Sequence, residues 1–301
     1  MKKSGRFPLL ILFFNLVLGS SALFALDVRD GLVRVVVDET MGRAILYRLA
    51  GDGGSSYEPL LFDADARTSF LTLSLDGRKI KLGESQEFKI GVRRAANGAA
   101  IEFSSPVISI TQRIEFVKSA DSRISNGFKI TCEARNLSQR DSKVALRQVW
   151  DTILGEKSGV HFMANGIARF DTELVFRGET MVPFLVSPGP TASLGIILDQ
   201  VPRPDVVVVA NWKRLSDSNW SYDSPMRGYS LPPYSTNDSA IGLYWNEIIL
   251  KAGASHLFVS YFLTGGEGQE FFDYLKSGPA FAAEQPAPPT AAPDPISGTA
   301  K

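Results

Sequence analysis

The stretch Phe128-Lys129-Ile130-Thr131-Cys132-Glu133-Ala134 alternates apolar or small residues with polar ones at every position. Successive side chains of a β-strand point to opposite faces, so this period of two is typical of a strand with one buried face. Cys132 falls on the apolar face. We therefore expect it to be a small buried residue of the core rather than a nucleophile.

The same period dominates the chain from Val28 to about Leu263. Asp76-Gly77 and Asn97-Gly98 each stand between two alternating segments, which is a strong signal for a hairpin turn. We count about fifteen such segments, at the short and regular spacing of sandwiches and barrels. The sequence therefore predicts an all-β fold, a large antiparallel β-sandwich in a single domain.

One short C-terminal helix is predicted at the end of this domain. Phe271, Phe272 and Leu275 recur at helical spacing within Gly268 to Ser277, and Gly278-Pro279 ends the pattern. The residues that follow are rich in Ala and Pro and have too few large apolar side chains to form a core. The predicted sandwich domain therefore covers residues 26–278, and a disordered tail covers residues 279–301.

The first 25 residues are typical of an export signal. A basic start precedes an apolar run from Phe7 to Leu18, and small residues follow it up to Ala25. Retention of the segment as a membrane anchor is the alternative, because the apolar run is almost long enough to span a bilayer. With cleavage, the protein is periplasmic or secreted and has no membrane span.

The charge of the chain gives no reason to expect a nucleic-acid or membrane-surface partner. The sequence has 32 basic and 32 acidic residues. Lys2, Lys3 and Arg6 lie in the predicted signal segment, so 29 basic residues remain against 32 acidic ones, a net charge of −3. Binding to phosphate backbones requires the opposite sign. With these two excluded, the predicted partner is a glycan or an envelope protein.

No metal or other cofactor is predicted. One cysteine and two histidines cannot supply a zinc site of the usual kind, and one cysteine excludes an internal disulfide. Oxygen donors alternate from Asp217 to Asp223, but this segment lacks the central glycine and terminal glutamate of a calcium loop. Motifs for a serine hydrolase or a nucleotide-binding loop are also absent from the sequence.

The first candidate for chemistry follows a predicted strand that ends near Trp150. Asp151, Glu156 and His161 fall in the next segment, a loop that contains glycines. A histidine beside carboxylates can transfer protons near neutral pH, so the three residues are predicted as a catalytic set if they converge. Alternatively, Asp151 pins the loop through backbone hydrogen bonds, and His161 is a surface side chain.

The second candidate is an aromatic loop between Asn211 and Trp245, which holds three of the four tryptophans of the chain. Long irregular segments inside a compact domain are often functional. Aromatic rings beside amide groups suit sugars, because the rings stack on C–H faces and the amides bind hydroxyls. Alternatively, the loop folds its rings onto the sandwich. The predicted ligand-binding residues are Asn211, Trp212, Trp220, Tyr222, Tyr234 and Trp245.

The succession of strands and the late aromatic segments resemble the galactose-mutarotase-like supersandwich superfamily, over most of the predicted domain. The resemblance implies a histidine acid and a glutamate base that act on a hexose. His161-Phe162-Met163 departs from the His-Pro-Tyr-type signature of the enzymes, and Glu247 matches the base only by rough position. The chain is also similar to uncharacterised exported bacterial proteins.

Three functions are therefore open from the sequence. The first is an exported, non-enzymatic module that binds carbohydrate through the aromatic loop. The second is a structural or assembly component of the bacterial envelope. The third is an aldose epimerase-like or lyase-like enzyme that uses His161 with Glu156 or Glu247.

Overall fold

The structure is a computed structural model that describes residues 25–51, 55–165, 167–221, 223, 226–278 and 280–281, with the backbone alone at residues 167 and 168. The predicted signal segment up to residue 24, Tyr222 and residues 282–301 of the predicted tail lie outside this part of the chain. The described residues form three antiparallel sheets, as expected for an all-β sandwich.

The N-terminal sheet is a four-stranded meander in which each strand pairs with the next along the chain. Its strands are β1 (Ala25–Asp30), β2 (Val33–Asp38), β3 (Arg43–Leu49) and β4 (Tyr57–Pro59). In β2, Val33, Val35 and Val37 are fully buried, while the residues between them are half-buried. The alternation predicted from the sequence is thus present in the first sheet.

The second sheet has six strands in the order β14-β17-β18-β11-β5-β6. Its strands are β5 (Phe70–Leu75), β6 (Arg78–Lys81), β11 (Ser142–Thr152), β14 (Leu174–Arg177), β17 (Val206–Asn211) and β18 (Ser239–Leu250). Asp76 and Gly77 join β5 to β6 with φ angles of 50° and 85°. Both residues are thus in the left-handed region that a tight hairpin turn needs.

The third sheet has nine strands in the order β13-β12-β15-β16-β19-β10-β9-β8-β7. Its strands are β7 (Lys89–Ala95), β8 (Gly98–Ser104), β9 (Ile108–Val117), β10 (Gly127–Asn136), β12 (Phe162–Ala164), β13 (Ile167–Phe170), β15 (Phe184–Ser187), β16 (Ser193–Ile197) and β19 (Ser255–Gly265). One edge of this sheet is therefore β7, as one edge of the six-stranded sheet is β6.

The six- and nine-stranded sheets face each other across the main core. Trp150 of β11 meets Phe262 of β19 edge to face, with 5.6 Å between ring centroids. Gln148 lies between the sheets: its Nε2 donates to Sγ of Cys132 at 3.4 Å, and its Oε1 accepts from Ser260 Oγ at 3.0 Å. Buried polar atoms need such partners. Cys132 is fully buried, as predicted, and burial raises the pKa of its thiol to about 12.

Two helices accompany the sheets. The short α1 (Trp212–Asp217) follows β17, and α2 (Gly268–Ser277) follows β19 with the bounds predicted from the sequence. Phe271, Phe272 and Leu275 of α2 are buried in a small cluster against the nine-stranded sheet. No helix of the described residues is both long enough and apolar enough to cross a bilayer.

The packed chain extends slightly beyond the predicted end of the domain. Ala280 is buried, and its carbonyl oxygen accepts the N–H of Ala120 at 3.1 Å. The ring of Phe281 packs against Tyr261 at 5.4 Å. Ala280 and Phe281, which the sequence assigned to the tail, thus pack against the domain.

Candidate functional site

Strand β11 ends and strand β18 begins at the same end of the six-stranded sheet. The antiparallel register pairs Thr152, the last residue of β11, with Ser239, the first residue of β18. Thr152 Oγ1 donates to the Ser239 carbonyl at 3.1 Å. Asp151 and Asp238, which neighbour this pair in the sequence, therefore come close together although 87 residues separate them.

The loop from residue 153 to residue 160 brings a third carboxyl group to this end of the sheet. Gly155 has a φ of 76°, and a Cβ there would come within 2.0 Å of the Val160 carbonyl oxygen, so only glycine fits. Ser158 N–H closes the turn by donating to the Gly155 carbonyl at 3.1 Å. The turned loop directs Glu156 back to the sheet, where Oε1 accepts the N–H of Ser239 at 3.0 Å.

Asp151, Glu156 and Asp238 form what we call the carboxyl cluster, in which one oxygen from each residue lies within 4.8 Å of the other two. Burial is the main cause that raises all three pKa values, to about 8 for Asp151, about 7 for Glu156 and about 6 for Asp238. The negative charges of Asp238 and Glu156 raise the pKa of Asp151 further, while a hydrogen bond with Thr68 lowers it. The cluster therefore holds protons at neutral pH.

This arrangement can exchange protons or contribute to a cation site. Carboxyl groups with pKa values near neutrality are suited to act as acids or bases. The same oxygens are ligands of the kind that calcium and magnesium prefer, but one oxygen from each residue supplies three of the six to eight that calcium takes. Proton sharing needs no further partner.

The structure brings Asp151 and Glu156 together but not with His161, so the predicted catalytic set is corrected. Asp238 takes the third position in the carboxyl cluster. His161 is buried and stacks on Tyr229 with 4.2 Å between ring centroids. Burial lowers its pKa to about 4, against a weaker opposite effect of Asp171. His161 is therefore a neutral core side chain, and the surface alternative is also wrong.

Glu247, the residue considered as an epimerase base, lies away from both of these sites. It falls in β18 where the register with β11 shifts between Val144 and Leu146, about six residues from Asp151 along the sheet. Six residues of strand span roughly 20 Å. Its carboxylate pairs with Lys143 at 3.1 Å on the exposed surface. His161 and Glu247 thus do not form the acid and base pair that the resemblance implied.

The aromatic loop packs much of its ring surface onto the outer face of the six-stranded sheet. Trp212 is half-buried, and its Nε1 donates to the Thr68 carbonyl at 2.8 Å. Trp220 meets Tyr244 edge to face, and Lys79 Nζ lies 4.3 Å from the Trp220 ring centroid. Tyr234 is different: it is 74% exposed at a turn. Tyr222 lies outside the described residues.

Two other residues predicted to bind ligand are structural. Trp245 is 5% exposed and packs edge to face on Phe258 between the two large sheets, on the opposite face from Tyr244. Asn211 is fully buried: its Nδ2 donates to the Tyr229 carbonyl at 2.8 Å, and its Oδ1 accepts the N–H of Arg214 at the start of α1. Neither side chain reaches solvent, so both assignments are corrected.

A cleft of about 700 Å³ opens on the other side of the residue 153–160 loop. We call it the loop cleft. Its apolar walls come from the residue 153–160 loop, β12 and the turn between β15 and β16, and its rim comes from β4, β13 and the start of α2. Its apolar lining residues include Ile153, Leu154, Val160, Met163, Pro188 and Pro190.

Four charged side chains also line the loop cleft, namely Glu58, Lys157, Arg169 and Glu267. Glu58 Oε2 accepts a hydrogen bond from Thr191 Oγ1 at 2.6 Å. Glu267 is the N-cap of α2, where Oε2 accepts the N–H of Glu270 at 2.9 Å. Backbone hydrogen bonds, first of all from Glu270, lower the pKa of Glu267. Lys157 and Arg169 are exposed.

Asp238 and the four charged residues of the loop cleft were not predicted from the sequence. Asp238 stands next to the start of a strand, but only the pairing of β11 with β18 shows that it meets Asp151. The cleft charges come from four separate segments, and no local spacing connects them. The one available signal was the glycine-containing loop after Trp150, which contributes both Glu156 and Lys157.

Comparison with known proteins finds no matching family model and no matching curated protein. Similar solved structures include a putative aldose 1-epimerase from Escherichia coli, at 8% identity and a TM-score of 0.48, covering 80% of this chain and 99% of that one. Another is a galactose mutarotase-like protein from Lactobacillus casei, at 6% identity and a TM-score of 0.45, covering 80% of this chain and 100% of that one.

An aldose epimerase homologue from C. elegans is also similar, at 11% identity and a TM-score of 0.45, covering 81% of this chain and 99% of that one. The names of these structures agree with the superfamily that the sequence was found to resemble. At these low identities and TM-scores, the likeness assigns no chemistry to this chain.

Proposed function

We propose that this chain is an exported protein that binds carbohydrate in the loop cleft without transforming it. The observation that carries the proposal is the loop cleft itself. Its volume of about 700 Å³ falls within the roughly 300–1,000 Å³ of small-molecule sites. Its place on a rigid sandwich, with walls from several loops, is also typical of binding sites.

The lining of the loop cleft suits a sugar. A sugar ring has apolar C–H faces and a circumference of hydroxyl groups. Ile153, Val160 and Met163 offer apolar surface for the faces, whereas Glu58, Arg169 and Gln269 offer acceptors and donors for the hydroxyls. A few polar groups on a mostly apolar wall fix the orientation of a bound ligand.

The carboxyl cluster supports binding without catalysis. Asp151, Glu156 and Asp238 have pKa values raised toward neutrality, yet none of them lines the loop cleft. They lie on the other side of the residue 153–160 loop, where Glu156 is bonded to the backbone of Ser239. A sugar in the cleft would therefore not contact these proton donors.

Export rests on the sequence of residues 1–25, with its basic start, apolar run and small residues before Ala25. An exported protein meets the glycans of the cell surface and the surroundings. We propose a periplasmic or extracellular location on this basis.

A substitution that fills the loop cleft tests the proposal. Gln269 is exposed and lines the cleft, so Gln269→Trp should block it. Glu270→Trp is the matched control, because the next residue of α2 is exposed and does not line the cleft. Wild type and variants would be screened on a glycan array, and the hits measured by isothermal titration calorimetry.

We expect wild type and Glu270→Trp to bind the same glycan and Gln269→Trp to lose at least tenfold in affinity. Tyr234→Ala addresses the aromatic loop and should leave binding unchanged. The proposal is wrong if wild type binds no glycan. It is also wrong if Gln269→Trp binds normally. If only Tyr234→Ala loses binding, the binding site is in the aromatic loop.

A further inference from the structure

We infer that the ligand of the loop cleft is an anionic sugar, which carries a carboxylate or sulfate group, and that Lys157 and Arg169 bind this group. The inference rests on the proposed function, since it specifies the class of carbohydrate for the same site.

The acidic and the basic residues of the loop cleft differ in their partners within the protein. Both carboxylates already have partners within the protein: Glu58 accepts from Thr191, and Glu267 accepts from the backbone of α2. Within the described part of the chain, the side chains of Lys157 and Arg169 form neither an ion pair nor a hydrogen bond. The cationic side chains are therefore the charged groups of the cleft that are available to bind a ligand.

The remaining charge of Glu267 is offset by its position. It caps the N-terminus of α2, where the helix dipole and the free N–H groups of the first turn favour a negative charge. Its effect on a ligand is thus reduced, because the helix end and the carboxylate have opposite signs. Glu58 has no such compensation, so it is the residue of the cleft that should oppose an anion.

The surroundings of the two cations make them more effective than cations on an open surface. Lys157 and Arg169 lie at a concave site whose walls include Leu154, Met163 and Pro188. Walls of low dielectric focus the field of nearby charges into the cleft. The planar guanidinium of Arg169 can bind a carboxylate or sulfate with two parallel hydrogen bonds, and Lys157 adds a point charge.

The experiment compares an oligogalacturonate with the same oligosaccharide after its carboxyl groups are reduced to alcohols. A sulfated disaccharide forms a third arm, which distinguishes sulfate from carboxylate as the recognised group. Affinities of the full chain and of Lys157→Gln and Arg169→Gln would be measured by calorimetry. Lys213→Gln is the matched control, because Lys213 is outside the cleft and pairs with Asp217.

We expect one of the acidic sugars to bind more tightly than the reduced one and each cleft variant to lose about tenfold or more for it, as for a hydrogen bond between charged groups. The affinity should fall as NaCl is raised. Glu58→Gln should strengthen binding of the acidic sugar and leave the reduced sugar unaffected.

The inference is overturned if the reduced oligosaccharide binds as well as the acidic sugars, or if both cleft variants match wild type. The proposed carbohydrate binding would still hold, provided that Gln269→Trp weakens it at least tenfold. If neither the acidic sugars nor neutral glycans bind, the proposed function fails together with the inference.

Discussion

Glu156 accepts a hydrogen bond from the backbone N–H of Ser239 at 3.0 Å, although 83 residues separate them in the chain. This bond holds the residue 153–160 loop against the start of β18. It also places a third carboxyl group beside Asp151 and Asp238. Because three acidic side chains lie so close together, the protonation of the carboxyl cluster affects the stability of the protein.

Asp151 should make the protein less stable as the pH rises. Its pKa is about 8 in the folded chain against 3.8 ordinarily, so between pH 4 and pH 8 the unfolded chain loses this proton first. The free energy of unfolding therefore falls across that window. Asp151→Asn carries no charge to bury and should be more stable than wild type at pH 8, on the order of 5 kcal/mol for a pKa raised from 3.8 to about 8, with no difference below pH 4.

Urea denaturation at pH 4, 6 and 8 measures this effect. Asp217→Asn serves as the control, since Asp217 is an exposed partner in a surface ion pair and should change little at any pH. Equal pH dependence in wild type and Asp151→Asn would contradict the role given to the carboxyl cluster.

His161 should show the opposite dependence. Burial lowers its pKa to about 4, so the folded chain resists protonation that the unfolded chain accepts near pH 6.5. Stability is therefore lost as the pH falls from 6.5 to 4. His161→Phe keeps a ring to stack on Tyr229 and removes an Nδ1 that has no hydrogen-bond partner among the described residues.

We expect His161→Phe to be less sensitive to acid than wild type between pH 6.5 and pH 4 in thermal unfolding. Its glycan binding should be unchanged, because His161 does not line the loop cleft. If His161→Phe folds normally but no longer binds the glycan, His161 belongs to the binding site.

Trp245 should contribute to stability, and Tyr234 should not. Trp245→Ala removes a buried ring from between the two large sheets and should lower the free energy of unfolding by about 3–5 kcal/mol. Tyr234→Ala changes a residue that is 74% exposed and should stay within about 0.5 kcal/mol of wild type. Urea midpoints for the two variants compare them directly, and similar losses would mean that the core is not organised as described.

The ion pair between Glu173 and Arg214 should be the most sensitive polar contact of the aromatic loop. Glu173 is fully buried, and Arg214 also donates to the carbonyls of Gly228 and Ser230. Glu173→Gln leaves a largely buried cation without its counter-charge, which costs about 3–5 kcal/mol.

Limited proteolysis of Glu173→Gln should show faster cleavage between α1 and β18 than in wild type. Lys213→Gln breaks only an exposed ion pair of α1 and should not accelerate this cleavage. Equal rates for the two variants would show that the buried pair does not hold the loop.

The fold was predictable from the sequence because its determinants are local. Alternation along β2 and β10, the Asp76-Gly77 turn and the spacing within α2 each depend on residues that are close in sequence. The number of sheets and their strand order depend instead on pairings such as β11 with β18, whose paired residues are 87 to 108 positions apart. One sequence contains no record of such pairings.

The candidate site was predictable only in part for the same reason. The loop after Trp150 could be recognised, and two of its predicted residues do meet. His161 was placed with them because it is near in sequence, whereas Asp238 belongs there because two distant strands are neighbours in the sheet. Alternation could also not show that Trp245 faces the core, since both faces of β18 are covered along this part of the strand.

The edges of the two large sheets have a consequence for the behaviour of the protein in concentrated solution. Strand β6 reads Arg78-Lys79-Ile80-Lys81, and β7 carries Lys89, Arg93 and Arg94. If a second molecule docked its β6 against β6, or its β7 against β7, positively charged ammonium and guanidinium groups would face each other. This repulsion opposes the edge-to-edge growth that leads to fibrils.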